Sequence, residues 1–121
     1  MREKLHAAHP NTSGLFDLKH DRGGMIDIEF TVQFLVLAHA HAHPELTGNL
    51  GNIALLGIAA GLGLIDRGTA EECRSAYRDF RRLQHALRLN GARYARVPPD
   101  QVSRDADAVR ALWKAVFSAY Q

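Results

Sequence analysis

Apolar residues recur at helical spacing along most of the chain. The first such segment follows Gly23 and Gly24, runs from Met25 to His41 and is stopped by Pro44. One of its stripes consists of Ile26, Phe30, Phe34 and Leu37. Other apolar residues cover much of the remaining surface, so the pattern predicts a first helix that neighbours bury on several sides.

Three further helices are predicted downstream. The second runs from about Asn52 to Leu62, just before Gly63, a residue type that often ends helices. The third begins at the capping box Thr69-Ala70-Glu71-Glu72 and extends to about Asn90-Gly91, and Ser103 caps a fourth. Because no strand-like alternation persists, the sequence predicts an all-α fold, a helical bundle of about four main helices that are mostly antiparallel.

The first fifteen residues differ from the rest of the chain, because they contain the helix-breaking run Pro10-Asn11-Thr12-Ser13-Gly14. We expect residues 1–15 to be a linker or the tail of a preceding element. Residues 16–121 are then one helical domain, since 121 residues is the length of a single domain.

The composition is that of an ordinary globular protein, with 46% apolar and 23% charged residues. A net charge of +2 is too small to indicate a nucleic-acid partner without a local basic patch. The single cysteine, Cys73, excludes an internal disulfide and fits a reducing compartment. The uncharged run of residues 31–44 is too short to span a membrane, and no signal-peptide pattern is present. We therefore expect a soluble, cytoplasmic protein.

Two carboxylates lie at the start of the apolar first helix. If Gly24 is the N-cap, Asp27 falls at position N3, where an acid interacts well with the helix dipole. Glu29 is about 200° further around the helix, so the two acids cannot hold one metal ion. A carboxylate among apolar residues needs a cation or a polar site.

The third helix offers polar partners for Glu29. Tyr77, Arg81 and His85 follow one another at four-residue spacing and form a polar line along that helix. Two interpretations stay open at this point. Glu29 forms an ion pair with Arg81 between helices, which we favour, or it faces a ligand or a partner domain.

Other motifs carry weaker signals. Gly23-Gly24 before a helix can bind a phosphate through backbone N–H groups, with Lys19 and Arg22 nearby as countercharges, but two glycines alone favour a tight turn. His39, His41 and His43 alternate and do not share one helix face as a zinc site requires. Asp105-Ala106-Asp107 has the D-x-D form of nucleotidyl transfer but opens a helix, where acids are favoured anyway. We expect no metal site in the chain.

The chain closely resembles the glutamine synthetase adenylyltransferase family. The resemblance begins with Phe16-Asp17-Leu18-Lys19, Gly23-Gly24, Asp27-Ile28-Glu29-Phe30, Gln33 and Leu35-Val36-Leu37. It continues through Pro44-x-Leu46-Thr47, Asn52, Tyr77, Arg81, His85 and Arg110-Ala111-x-Trp113-Lys114. Ile26, where the N-terminal half of the family usually has an arginine, makes the chain similar to the C-terminal, AMP-attaching half.

The resemblance implies that residues 16–121 are the helical domain that follows a nucleotidyltransferase domain. For the whole enzyme it implies ATP and Mg²⁺, glutamine synthetase as target, and PII signal protein and glutamine as regulators. The family's catalytic Gly-Ser turn and paired aspartates are missing from the chain, so we expect no catalytic residue, no bound cofactor and no AMP transfer by the chain alone.

The resemblance also yields expectations about the site. We expect Lys19, Gly23 and Gly24 to border the nucleotide site of the whole enzyme. A structural or interface polar cluster is expected to comprise Asp27, Glu29, Tyr77, Arg81 and His85. The alternatives are a pure interaction module that binds glutamine synthetase or PII, and an arginine-rich nucleic-acid-binding domain. We disfavour the second because acids are interspersed among the arginines of the third helix.

Overall fold

The computed structural model describes residues 13–48 and 50–118. Within these ranges the chain forms four α-helices, which are α1 (Met25–His39), α2 (Asn52–Gly61), α3 (Arg67–Leu89) and α4 (Ser103–Ser118). Short 3-10 turns cover Pro44–Thr47 and Pro99–Gln101. The predicted all-α bundle of four helices is confirmed. The expected linker of residues 1–15 lies mostly outside the described residues.

Two very short strands were not predicted. β1 (Phe16–Asp17) pairs antiparallel with β2 (Arg96–Val97), with Phe16 opposite Val97. The pairing continues for one more residue, because the Leu18 N–H donates to the Ala95 carbonyl at 2.8 Å. Strands of two residues are too short to produce a recognisable alternation in sequence. The ladder fastens the segment before α1 to the segment between α3 and α4.

The helix ends follow from local capping. Asp66 is the N-cap of α3, since its carboxylate accepts from the Thr69 N–H at 2.9 Å. The predicted start at Thr69 was therefore wrong by two residues. Helix α1 ends at His39, two residues before the predicted position. Gly63 ends α2 as predicted, with a positive φ of 78°.

The core lies between α3 and the helices packed on it, α2 and α4, with α1 against α2 and α4. Its largest fully buried apolar side chains are Phe80, Leu18, Ile28, Leu56 and Leu112. Cys73 is buried among them, and its thiol donates to the Ala108 carbonyl at 3.3 Å. Burial raises the pKa of the Cys73 thiol to about 12, so this cysteine serves packing.

Helix α1 buries only one of its faces within the described chain. Met25, Ile28, Val32 and Leu35 are buried in the core. The opposite side, the outer face of α1, consists of Ile26, Phe30, Gln33 and Leu37. Leu37 is 75% exposed, and Ile26 and Phe30 are only partly buried. The prediction that neighbours enclose α1 on several sides was wrong for this face, because an all-round apolar helix does not reveal which side meets its own core.

Among the described helices, none combines the length and apolar character that crossing a membrane requires.

Candidate functional site

Asp17 organises the turn that leads from β1 to α1. It is 5% exposed, and its carboxylate accepts from the backbone N–H groups of Lys19 at 3.0 Å and His20 at 2.9 Å. The same carboxylate lies 3.2 Å from Nε of Arg96, across the ladder. Burial opposes ionisation of Asp17, but these N–H groups and the Arg96 guanidinium outweigh it and hold its pKa below the ordinary value. Asp17 thereby fixes the backbone that carries Lys19.

Gly23 and Gly24 make a close-packed turn. The Gly23 N–H donates to the Asp27 carboxylate at 2.8 Å, and the Gly24 N–H donates to the Asp21 carbonyl at 2.9 Å. A methyl group on Gly24 would lie 2.7 Å from the Leu18 carbonyl oxygen, so only glycine fits there. Asp27 is at position N3 of α1, as predicted. Both glycine N–H groups already donate within the chain rather than to a ligand. The two glycines therefore serve to shape the turn.

A pocket of about 410 Å³ lies beside this turn. The basic pocket, as we call it, has as its charged and aromatic lining Asp17, Lys19, His20, Arg88, Arg93, Tyr94 and Arg96. Four cations face one carboxylate there, a net charge of +3 with His20 neutral, whereas the whole chain carries +2. The positive charge of the chain is therefore concentrated at this pocket, which suits an anionic ligand.

Tyr94 gives the basic pocket an aromatic surface. Its side chain is 51% exposed, and the guanidinium carbons of Arg96 and Arg93 lie 4.2 Å and 5.4 Å from its ring centroid. Such cation–π contacts order the arginines while leaving their N–H groups available to an anion. The pocket can therefore bind charged oxygens beside a flat ring.

Lys19 is the charged residue that acts on the Glu29 carboxyl. Burial raises the pKa of the half-buried Glu29 carboxyl, and the charge of Lys19 acts in the opposite direction. Across residues 13–48 and 50–118, no ion pair joins Glu29 to Arg81. The favoured Glu29–Arg81 pair was thus wrong, since helical spacing places a residue on its own helix face without showing which neighbour it meets.

Tyr77 and Arg81 instead line a second recess. The Tyr77 cleft consists of Gly51, Asn52, Ile53, Ala54, Arg74, Tyr77 and Arg81, and its volume is about 640 Å³. The Asn52 side-chain amide donates to the Tyr77 hydroxyl at 3.2 Å. His85 is exposed and lines neither the cleft nor the basic pocket. The predicted polar cluster is therefore not brought together: Asp27 lies in the α1 turn, Glu29 near Lys19, Tyr77 and Arg81 in this cleft, and His85 in none of these places.

In the described part of the chain, no three His, Cys, Asp or Glu side chains come together as a metal site. Asp107 pairs with Arg110 on its own helix at 3.2 Å. Asp105 has Asp79 of α3 as a neighbour, and burial together with that carboxylate raises the pKa of Asp105 to about 6. The Asp105 and Asp107 side chains thus have separate partners.

Sequence reasoning found Lys19 but missed the other side chains of the basic pocket. His20, Arg88, Arg93, Tyr94 and Arg96 come from two segments that are far apart in sequence. The run Arg93-Tyr94-Ala95-Arg96 between Gly91 and Pro98 was the available signal, because basic residues interleaved with an aromatic one indicate anion binding.

Comparison with known proteins adds a family to this geometry. A family model described as GlnD PII-uridylyltransferase matches residues 1–116. The chain belongs to this family. Comparison with individual proteins also confirms the resemblance to glutamine synthetase adenylyltransferase inferred above. The three relatives described next are each named a bifunctional glutamine synthetase adenylyltransferase/adenylyl-removing enzyme.

The relative from Burkholderia mallei is 56% identical over 119 residues, which cover 98% of this chain and 13% of that protein. The relative from Ralstonia nicotianae is 59% identical over 119 residues, covering 98% of the chain and 12% of that protein. The relative from Nitrosomonas europaea is 49% identical over 131 residues, which cover 97% of this chain and 14% of that protein. The chain thus spans about an eighth of the length of these curated relatives.

Proposed function

We propose that this chain is a helical domain of a bifunctional glutamine synthetase adenylyltransferase/adenylyl-removing enzyme. Identity of 56% with a relative of that name, over 98% of the chain, supports the assignment. In this proposal the whole enzyme transfers AMP from ATP, with Mg²⁺, to glutamine synthetase. The domain borders the AMP-transferring site from beside a nucleotidyltransferase domain.

The observation that carries the proposal is the basic pocket with Lys19 in its wall. A net charge of +3 in a recess of about 410 Å³ attracts the phosphates of a nucleotide. Asp17 holds the backbone of Lys19 in place through two N–H bonds, so the ammonium group extends from a fixed turn. The glycines contribute the shape of that turn, and Glu29 limits the positive charge beside Lys19.

The lining of the basic pocket does not fit a magnesium site, since its one carboxylate, Asp17, is already paired with Arg96. We therefore assign no step of AMP transfer to this chain. Its residues bind and orient the nucleotide, and the metal belongs to the nucleotidyltransferase domain in this proposal.

The test uses the full-length enzyme with Lys19→Ala. Losing one charge-assisted contact to phosphate raises the KM for ATP about 10-fold in AMP transfer to glutamine synthetase. The matched control is Arg78→Ala, because Arg78 is exposed on α3 and lines neither recess. An unchanged KM for ATP in Lys19→Ala, with thermal stability retained, would show that the pocket does not border the nucleotide.

A second candidate function is protein interaction alone, and the outer face of α1 favours it. Leu37 is 75% exposed on this face and shares it with the partly buried Ile26 and Phe30, so the face offers an apolar surface to a partner. In that case the domain docks glutamine synthetase or PII and contributes nothing to the nucleotide site. Leu37→Ser then lowers AMP transfer without changing the KM for ATP, whereas Lys19→Ala has no effect.

A further inference from the structure

The lining of the Tyr77 cleft contains several hydrogen-bond donors and no acidic residue. Its lining holds two guanidinium groups, from Arg74 and Arg81, and no carboxylate. Guanidinium groups only donate hydrogen bonds. The amide of Asn52 already donates to the Tyr77 hydroxyl, which leaves the hydroxyl hydrogen free to point into the cleft. The residues that carry these donors line a space of about 640 Å³.

Arg74 is held in a costly position at this cleft. Its Nη1 pairs with Glu71, and its guanidinium lies against α2 where Gly57 has no side chain. A methyl group on Gly57 would lie 3.3 Å from the Arg74 guanidinium carbon. The Nε of Arg74 is buried and has no hydrogen-bond partner among the described residues. A buried donor without an acceptor is destabilising, so Arg74 keeps a hydrogen-bonding group that the described residues do not satisfy.

Arg81 is the second cationic residue of the cleft, and it is more exposed than Arg74. It is exposed one turn after Tyr77, and none of the ion pairs formed by residues 13–48 and 50–118 includes it. The first turn of α2 adds to the same field, because helix N-termini carry partial positive charge and this one has no side-chain cap from its Gly51 N-cap. Ile53 and Ala54 form an apolar wall next to these donors.

We infer that the Tyr77 cleft binds an oxyanion, either the phosphate of a phosphate ester or a carboxylate. Arg81 and Arg74 supply the charge, Tyr77 supplies a neutral donor, and the apolar wall accommodates the organic part of the ligand. This site is separate from the basic pocket, since the two recesses share no lining residue. The inference does not depend on the proposed nucleotide border.

The experiment titrates inorganic phosphate, and in a second arm acetate, into the 121-residue chain at constant ionic strength. Backbone amide signals of Ile53 and Ala54 are followed by NMR, because they report on this cleft and not on the basic pocket. We expect saturable shifts with at least one of the two anions. Phosphate alone identifies a phosphate ester as the ligand class, and acetate alone identifies a carboxylate.

Arg81→Gln is expected to weaken the binding about 10-fold, because it removes one charge-assisted contact while leaving an exposed helical position intact. Arg78→Gln is the matched control, since it removes the same charge from an exposed site on α3 outside the cleft. Tyr77→Phe is expected to weaken anion binding by less than Arg81→Gln does, because it removes a neutral donor. Equal effects of Arg81→Gln and Arg78→Gln, or no saturable shift with either anion, would overturn the inference.

Discussion

The Asp17–Arg96 contact gives the sharpest test of how the basic pocket is held together. Asp17→Asn keeps the shape of the side chain but removes the charge that faces Arg96 at 3.2 Å. The Arg96 side chain is only 18% exposed, so water cannot fully replace the lost carboxylate. Breaking a buried pair by removing one partner costs about 3 kcal/mol. We therefore expect the free energy of unfolding to fall by about that amount.

The measurement is urea unfolding at pH 7, followed by circular dichroism. With an m-value of about 2 kcal/mol/M, the expected loss moves the midpoint down by about 1.5 M. Asp107→Asn is the matched control, because it also removes a carboxylate from an arginine pair at 3.2 Å, but one that is 75% exposed. Its expected cost is below about 0.5 kcal/mol.

The pH dependence adds a second check. The folded-state pKa of Asp17 is lowered from 3.8, so its contribution is fully present above pH 3.8 and is lost as the pH falls through the folded-state pKa. The gap between wild type and Asp17→Asn should therefore narrow only below pH 3.8. Equal midpoints for Asp17→Asn and Asp107→Asn would refute the reasoning, as would a gap that closes between pH 5 and 7.

Two further predictions concern the same end of the bundle. Gly23→Ala combines a φ of 91° with a methyl group 2.9 Å from the Ala106 carbonyl oxygen, so we expect a loss of about 3 kcal/mol in thermal unfolding. Gly63→Ala is the control, because Gly63 has a similar φ but open space around an added methyl group, and it should cost only about 1 kcal/mol. Equal losses for the two variants would show that the contact with Ala106 contributes nothing. Asp105 has a pKa raised to about 6 beside Asp79, so wild-type stability should fall as the pH rises from about 4 to 6. Asp105→Asn should remove that fall and gain about 1 kcal/mol at pH 7, and an unchanged pH profile in urea titrations would contradict it.

The parts of the fold that depend on residues close together in the sequence were predictable. Gly24 and Asp27 mark the start of α1, and Gly63 marks the end of α2, because capping is set within one helical turn. The start of α3 was misplaced since Thr69 and Asp66 both have capping chemistry, and Asp66 lies earlier.

The candidate site was less predictable because it depends on contacts between distant segments. Asp17 meets Arg96 from 79 positions away, through a ladder too short to leave a sequence pattern. The Glu29–Arg81 prediction failed for a related reason. Spacing shows which residues share a helix face, whereas the packing of whole helices decides which faces meet.

The short ladder between β1 and β2 has a consequence for the stage of folding at which the basic pocket forms. It closes a ring of about eighty residues, and the chain entropy lost in closing such a ring is about 4 kcal/mol. Local helices form faster than contacts of such long range. We therefore expect the walls of the basic pocket to come together late in folding, after the helices inside the ring have packed. During synthesis, a chain whose residue 97 is still inside the ribosome contains Lys19 but cannot form the ladder that brings the walls of the basic pocket together.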